Sequence, residues 1–537
     1  MASTAEITTT TQIAQTTTTT QSAPPGPDHP APSAPVAGAA PAAASPLRIL
    51  FVSSECAPFA KTGGLADVVA GLPKALRRLG HDARILLPLY SSIDRARFAI
   101  RPIGTACVHM GNRAEHWIAV HQTLLDDEVP VWFLEYGAYF DRPGIYDGPL
   151  GHHMDNAFRF GFLSKAALQI CKDFQFIPHI IHAHDWPTAV APAFLKTWDR
   201  ILSPLSNTAS VLTIHNIGYQ GKYDANVMPY FGLGPEHFTP DKFEDFGKTN
   251  LLKGGIAFAD ALTTVSPTHA QEILGPIGGQ GLAMYLNNRR ADLFGILNGA
   301  DYSRWNPATD PLIPEKFTPQ DLTGKSVCKA ALQQRFNLEV RPDLPVFGIV
   351  SRFAHQKGFN LLREALPAAL NNMVMQLVIL GNGDADTENF VHWLTATHPG
   401  RVGSFVGYSD DLSHLIEAGS DFFLMPSLYE PCGLNQIYSL KYATLPVVRA
   451  TGGLDDSIDN YSEAAGTGTG FKFWEPSGLA LYWCIGWAVS TWWDRPHHIT
   501  SLRQQAMAQN FDWITSARQY ISVYHHALRK RVPAPPV

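Results

Sequence analysis

RILFVSSECAPFAKTGGLADVVAGLPKALRRLGHDARILLPLY (48–90) is the stretch on which the reading of the whole chain turns. Its first run, RILFVSSE (48–55), is β-branched and aromatic, the composition of a strand. KTGG follows as a loop. Leu65 to Leu79 is amphipathic and reads as a helix, with Gly80 as its stop. ARILLPLY (83–90) is the next strand. A strand, a Gly-bearing loop, a helix and a second strand make one winding of a parallel α/β sheet.

Outward from that unit the pattern continues. HIIHA (179–183), SVLTI (210–214), the ADALTTV region (259–265) and FGILN (294–298) are apolar strand runs. Thr188–Thr197 and Pro267–Leu274 are helical patterns between them. Continuous apolar strands alternating with helices imply a parallel sheet covered on both faces. A polar, Pro-rich stretch, Asn306 to Gln320, interrupts the series, and the pattern then restarts. The second series has strands at VFGIVS (346–351), MQLVILG (375–381), VGSFVG (402–407), DFFLMPS (421–427) and LPVVRA (445–450). Helical patterns lie at 361–370, 388–397, 412–418 and 435–442. The expected architecture is two doubly wound α/β domains facing across a cleft, with ligands at the carboxyl ends of the strands.

Composition bounds the rest. The chain has 537 residues, 45% hydrophobic and 16% charged, with a net charge of −6. That supports more than one buried core and offers no general attraction to nucleic acid or an anionic membrane. The six Cys form no C-x-x-C pair, so neither a disulfide scaffold nor a structural zinc site is expected, and a reducing compartment fits. Residues 1–46 contain no Lys, Arg or aromatic residue and are almost all Thr, Ala, Pro, Ser and Gln. They read as a disordered leader, with neither the basic start and apolar core of a signal peptide nor the Arg of a transit peptide. Gly478 to Trp493 (GLALYWCIGWAVSTWW) carries no charge but is shorter than the roughly 20 residues of a membrane span, and reads as a buried helix.

Five motifs stand at strand ends. Lys61-Thr62-Gly63-Gly64-Leu65-Ala66-Asp67 combines close backbone approach, a helix N-terminus and a cation, which suits a phosphate; it lacks Walker spacing. His182-Ala183-His184-Asp185-Trp186 puts two His on one face of a strand, and with His215 they could ligate zinc in a metal-dependent hydrolase. The loop from His215 and Asn216 to Gly221 is a pocket wall. Arg352, Gln356 and Lys357 place two cations at a strand-to-helix junction, suited to an anionic ligand. Tyr429-Glu430-Pro431-Cys432-Gly433-Leu434-Asn435-Gln436 offers a carboxylate and turn amides, and Cys432 could be read as a nucleophile although the sequence offers it no His base.

Taken together, KTGGLADV (61–68), HAHDW (182–186), HN-x-x-YQG (215–221), SR with QKG (351–358) and EPCGLNQ (430–436) closely resemble the bacterial and plant starch/glycogen synthase family. NAFRF (156–160), YFDRPGIY (139–146), VSPT (265–268), LNGAD (297–301) and LKYATLPVVRATGGL (440–454) match as well. The resemblance runs from Leu47 to about Tyr524. It implies a retaining glycosyltransferase of the GT-B fold, with lobes at 47–297 and 298–510 and a final segment, 511–537, packing back on the first lobe.

The resemblance further implies an ADP-glucose donor, a non-reducing 4-hydroxyl of an α-1,4-glucan (glycogen) as acceptor, and no metal or other cofactor. Lys61, Arg352 and Lys357 would neutralise the diphosphate, and Gly63, Gly64, Gly433 and Leu434 would supply backbone donors. His215 would sit by the glucosyl unit, Glu430 would hold its hydroxyls and Asp185 would orient sugar or acceptor. Asp67, Asn216 and Cys432 join the substrate-binding set, and Tyr408 would stack near the base. A cytoplasmic enzyme, monomeric or weakly self-associating, is expected.

The competing hydrolase would want one continuous β/α barrel, which the restart near residue 345 opposes. A non-catalytic sugar sensor on the same fold would have no need of the leaving-group cations.

Overall fold

The computed structural model describes residues 45–111, 113–149 and 151–531. The leader, apart from its last two residues, lies outside them. Two sheets, each with its own core, carry the architecture.

The first sheet has nine strands: β1 (Arg48–Val52), β2 (Asp82–Pro88), β3 (Arg101–His109), β4 (Glu115–Leu125), β5 (Val129–Glu135), β6 (Ile180–His184), β7 (Ala209–Ile214), β8 (Ala261–Thr264) and β9 (Leu293–Gly295). Their spatial order is β9-β8-β7-β6-β1-β2-β5-β4-β3. Ile49 to Val52 and Ile180 to His184 are completely buried, as continuous apolar strands covered on both faces must be. The helices that matter for the site are α1 (Gly64–Arg78), α2 (Asn156–Asp173) and α3 (Pro267–Glu272).

One edge departs from the parallel expectation. From β9 to β5 neighbours run parallel, but β4 runs antiparallel to β5, and β3 to β4. The outermost strand, β3, starts with five exposed residues and carries a bulge between Pro102 and Gly104. An edge strand this exposed shows no apolar periodicity to read, and its bulge and proline suit an edge that must not pair further.

The second sheet has six parallel strands: β10 (Val346–Val350), β11 (Gln376–Gly381), β12 (Val402–Val406), β13 (Phe422–Met425), β14 (Leu445–Arg449) and β15 (Phe471–Phe473). Their order is β12-β11-β10-β13-β14-β15. Around it lie α4 (Phe359–Asn372), α5 (Asp410–Gly419), α6 (Asn435–Lys441) and α7 (Gly478–Asp494). Helix α7 contains the uncharged segment Gly478–Trp493, and it is only half-buried. Leu481, Cys484, Ile485 and Ala488 enter the second core, whereas Leu479, Trp483 (65% exposed) and Trp493 stay outside. A helix laid on the outer face of a sheet buries one stripe and leaves the other out, whatever its composition. Among the described residues no helix is long and apolar enough to cross a membrane.

The last helix, α8 (Trp513–Arg531), crosses back and places Trp513, Ala517, Tyr520, Tyr524 and Ala527 in the first core. Its docking point requires glycine. A Cβ on Gly71 would stand 2.1 Å from the Trp513 indole, so only a bare backbone lets α8 sit against α1. Where the chain leaves the first lobe it meets its own return: Ala300 N–H donates to Phe511 C=O at 2.7 Å, and Tyr302 Oη accepts from Phe511 N–H at 3.1 Å.

In both sheets the order reverses at the first strand. β1 lies between β2 and β6, and β10 between β11 and β13. The loops after β1, β6, β10 and β13 therefore open at the two switch points, where a doubly wound sheet leaves a crevice. These are the loops that carry Lys61, Asp185, Arg352 with Lys357, and Glu430.

Candidate active site

The crevices of the two sheets form one cleft of about 1440 Å³. Lys61, Gly63, Gly64, Asp67, Asp185, His215, Asn216, Arg352, Lys357, Tyr408, Glu430, Cys432, Gly433 and Leu434 all line it. The lobes approach closely there: a Cβ on Gly64 would lie 3.9 Å from Leu434 Cδ1.

The loop after β1 is built by Glu55. This buried carboxylate accepts from Thr62 N–H (2.5 Å), Thr62 Oγ1–H (2.7 Å), Gly63 N–H (3.2 Å) and Tyr146 Oη–H (2.7 Å). The amide of Gly63 is thus engaged inside the loop by Glu55. Lys61 Nζ donates to both oxygens of Asp67, at 2.7 and 2.8 Å.

On the second lobe Lys357 Nζ lies 2.5 Å from Glu430 Oε2, which also accepts from Ser427 Oγ–H at 3.0 Å. Glu430 is 5% exposed. Arg352 has no ion-pair partner among the described residues and is exposed. Of the three cations it is the one that reaches an incoming anion without first releasing a carboxylate. Gly452 fixes the Glu430 backbone: its φ is +45°, and a Cβ there would stand 2.0 Å from the Glu430 carbonyl oxygen. Cys432 is buried and its thiol is pushed up to about 12 by burial, so it is no nucleophile near neutral pH. Tyr408 is exposed at the cleft mouth.

Asp185 begins a short helical turn at φ +53°, a conformation that costs a non-glycine residue energy. Its Oδ1 accepts from the His215 N–H at 2.6 Å and the Asn216 N–H at 3.4 Å. Burial raises its pKa to about 7 in spite of those bonds. The His215 ring is held neutral by burial, with its pKa lowered to about 3.

His182 and His184 do share a face, with ring centroids 4.3 Å apart. They do not make a zinc set. His182 uses both ring nitrogens on hydroxyls, Tyr524 Oη (3.0 Å) and Thr213 Oγ1 (2.6 Å), while His184 Nδ1 meets His215 Nε2 at 3.0 Å. Among the described residues no group of three or more His, Cys, Asp or Glu could hold a metal ion.

The lobes are tied beside the cleft. Ser266 Oγ–H donates to Pro431 C=O (2.6 Å), Asp456 accepts from Thr268 N–H and Oγ1–H (2.8 and 2.7 Å), and Glu272 Oε1 accepts from Thr451 Oγ1–H and Gly452 N–H (2.7 and 2.9 Å). Helix α3 of the first lobe thus holds the loops that shape Glu430.

The chain matches the family model described as starch synthase catalytic domain over residues 48–288, and that of glycosyl transferases group 1 over 331–480. It is 46% identical over 488 residues to glycogen synthase 1 of Geobacter metallireducens, covering 90% of this chain and 97% of that one. The chain belongs to the starch and glycogen synthase family. The glycogen synthase of Treponema denticola is 42% identical over 491 residues, 90% of this chain and 99% of that one. Among solved structures, the catalytic domain of starch synthase IV from Arabidopsis thaliana, bound to ADP and acarbose, superposes with a TM-score of 0.83 at 32% identity, covering 90% of this chain and all of that one. This member of the family is accordingly a glucosyltransferase of the GT-B fold.

Three members of the synthase cleft escaped sequence reasoning. Glu55 carries no motif beyond its place after a strand. Arg304 and Asp410, which line the cleft and pair through Arg304 Nη2 at 2.6 Å to both carboxylate oxygens, lie 106 residues apart in ordinary polar sequence.

Proposed function

We propose that this synthase transfers glucose from ADP-glucose to the non-reducing 4-hydroxyl of an α-1,4-glucan such as glycogen, with retention of configuration and without a metal. The observation that carries the reading is the convergence of Lys61 from one lobe with Arg352 and Lys357 from the other on one cleft, in a chain whose net charge is −6. Three cations around a crevice fit a diphosphate leaving group.

In this reading the diphosphate lies between Lys61 and the pair Arg352 and Lys357, with the amides of Gly64, Gly433 and Leu434 completing the anion site. Tyr408 stacks near the base. As the glycosidic bond to phosphate breaks, negative charge grows on the phosphate oxygen and positive charge on the sugar ring. The cations stabilise the first, each worth about 3 kcal/mol when well placed. Glu430 holds the glucosyl hydroxyls, His215 stands by the sugar, and Asp185 orients sugar or acceptor. A diphosphate oxygen on the same face takes the acceptor proton, so no strong protein base is needed. Asp67, Asn216 and Cys432 complete the pocket wall.

We assign lobes to 47–297 and 298–510, with the final segment, 511–537, returning to the first as far as Arg531, its last residues lying outside those described. We place the enzyme in the cytoplasm as a monomer or weak homo-oligomer without nucleic-acid or membrane partners. Six free thiols support a reducing compartment.

The test is transfer of labelled glucose to glycogen from ADP-glucose and UDP-glucose in competition, with and without EDTA. Preference for ADP-glucose, unchanged by EDTA, is expected. Transfer from neither donor, or loss with EDTA, refutes the reading.

A further inference from the structure

His184 is a side chain to which the proposed chemistry gives no task. It is wholly buried, stacked on Phe51 with ring centroids 5.6 Å apart and planes 16° from parallel, and lies against His182. Its Nδ1 is 3.0 Å from Nε2 of His215, the histidine that faces the cleft. Its own Nε2 is sealed from solvent and has no hydrogen-bond partner among the described residues. Burial keeps both rings neutral, so a single proton lies between them.

That proton has two possible owners. If it belongs to His215, His184 must carry its own hydrogen on Nε2, as an N–H buried without an acceptor. If it belongs to His184, the hydrogen sits in the bond, and the unpaired atom is only a nitrogen lone pair. Orphaned buried N–H groups are the rarer of the two in folded proteins. We propose that His184 is a positioning residue that donates Nδ1–H to His215 Nε2, which fixes the His215 ring with its proton on Nδ1 and so presents an uncharged N–H donor to the ligand in the cleft. A neutral donor holds a sugar hydroxyl without setting a full positive charge beside a ring that itself becomes cationic. The opposite tautomer would present a bare acceptor nitrogen there.

The inference rests on the reading of His215 as the residue beside the glucosyl unit, and the test separates the two. Nitrogen-15 histidine labelling of the full chain reports which ring nitrogen is protonated, the His215 signal being identified by its loss in H215A. Protonation on Nδ1 is expected in the parent. H184F fills the stacked site without a donor, and should cut kcat at least tenfold while leaving the KM for glycogen near the parent value. H184N, which returns an N–H close to the Nδ1 position, should recover part of that loss. A His215 protonated on Nε2 overturns the proposal, as does parent-like kcat in H184F when H215A is impaired. If H215A is itself fully active, the assignment of His215 falls, and the nitrogen spectrum still decides the tautomer. Should H184F not fold, the parent spectrum and H184N carry the test.

Discussion

Lys61 Nζ holds both carboxylate oxygens of Asp67, at 2.7 and 2.8 Å, across one turn of the loop that opens helix α1. In the proposed mode of donor binding, the diphosphate has to draw Lys61 away from that partner. The pair is partly exposed, 44% and 27%, so its strength is in the range of about 0–1 kcal/mol. D67N should therefore tighten ADP binding by no more than about fivefold. K61A should lower kcat/KM by about a hundredfold or more. Calorimetric titration with ADP and steady-state rates measure the two. Weaker ADP binding in D67N would mean that Asp67 itself holds the donor.

The second lobe predicts a different pattern. Glu430 is buried, and Lys357 depends on it for charge balance. E430Q keeps the shape and removes the charge. Its kcat should fall about a hundredfold while ADP affinity holds or improves, because Lys357 is released to the phosphate. Near-normal kcat would refute the role given to the carboxylate.

Glu55 touches the loop and not the leaving group, so its removal should register in both stability and donor binding. E55A leaves the Thr62 and Gly63 amides short of an acceptor, at about 1–3 kcal/mol for each one that water cannot reach, while the Tyr146 hydroxyl keeps Ser54 Oγ as a partner. A lower melting temperature and a raised KM for the nucleotide sugar are expected together. A fall in melting temperature with unchanged KM would show that the loop keeps its shape without Glu55.

Protons supply a fourth test. His215 drops from an ordinary pKa of 6.5 to about 3, so between those values the unfolded chain binds a proton that the folded one does not. Stability is therefore lost as pH falls through that window. Asp185 rises from 3.8 to about 7, so the folded chain keeps a proton that the unfolded one has shed, and stability is lost as pH rises through that window. The two windows overlap and their slopes oppose, so in melting curves from about pH 4 to 7 H215N should lose stability more steeply than the parent as pH rises, and D185N should lose it more steeply as pH falls. Parallel curves for parent and variants would contradict both.

The fold was legible where one physical signal dominated. Fully buried strands such as Ile180–His184 are apolar runs, and the restart at Val346 marks the second sheet. The antiparallel edge, β3 and β4, was not legible, because edge strands with exposed faces show no apolar run. Helix α2 was missed as an element, since it is buried nearly all round and shows no amphipathic period. In the site, Lys61, Arg352, Lys357 and Glu430 stood out because Gly turns and charges at strand ends are informative. Glu55 and the Arg304–Asp410 pair have meaning only through contacts the chain makes after folding. The apolar composition of α7 overstated its burial, because composition does not say which layer a helix occupies.

The meeting of Ala300 with Phe511 has a mechanical consequence. The chain passes between lobes twice, and the two passages are hydrogen-bonded to each other, so they act as one strap. Neither passage can shift against the other without breaking those bonds, so any movement of one lobe against the other has to carry both passages together. A longer connector spliced into one passage would gain the enzyme little freedom, because the other would still hold.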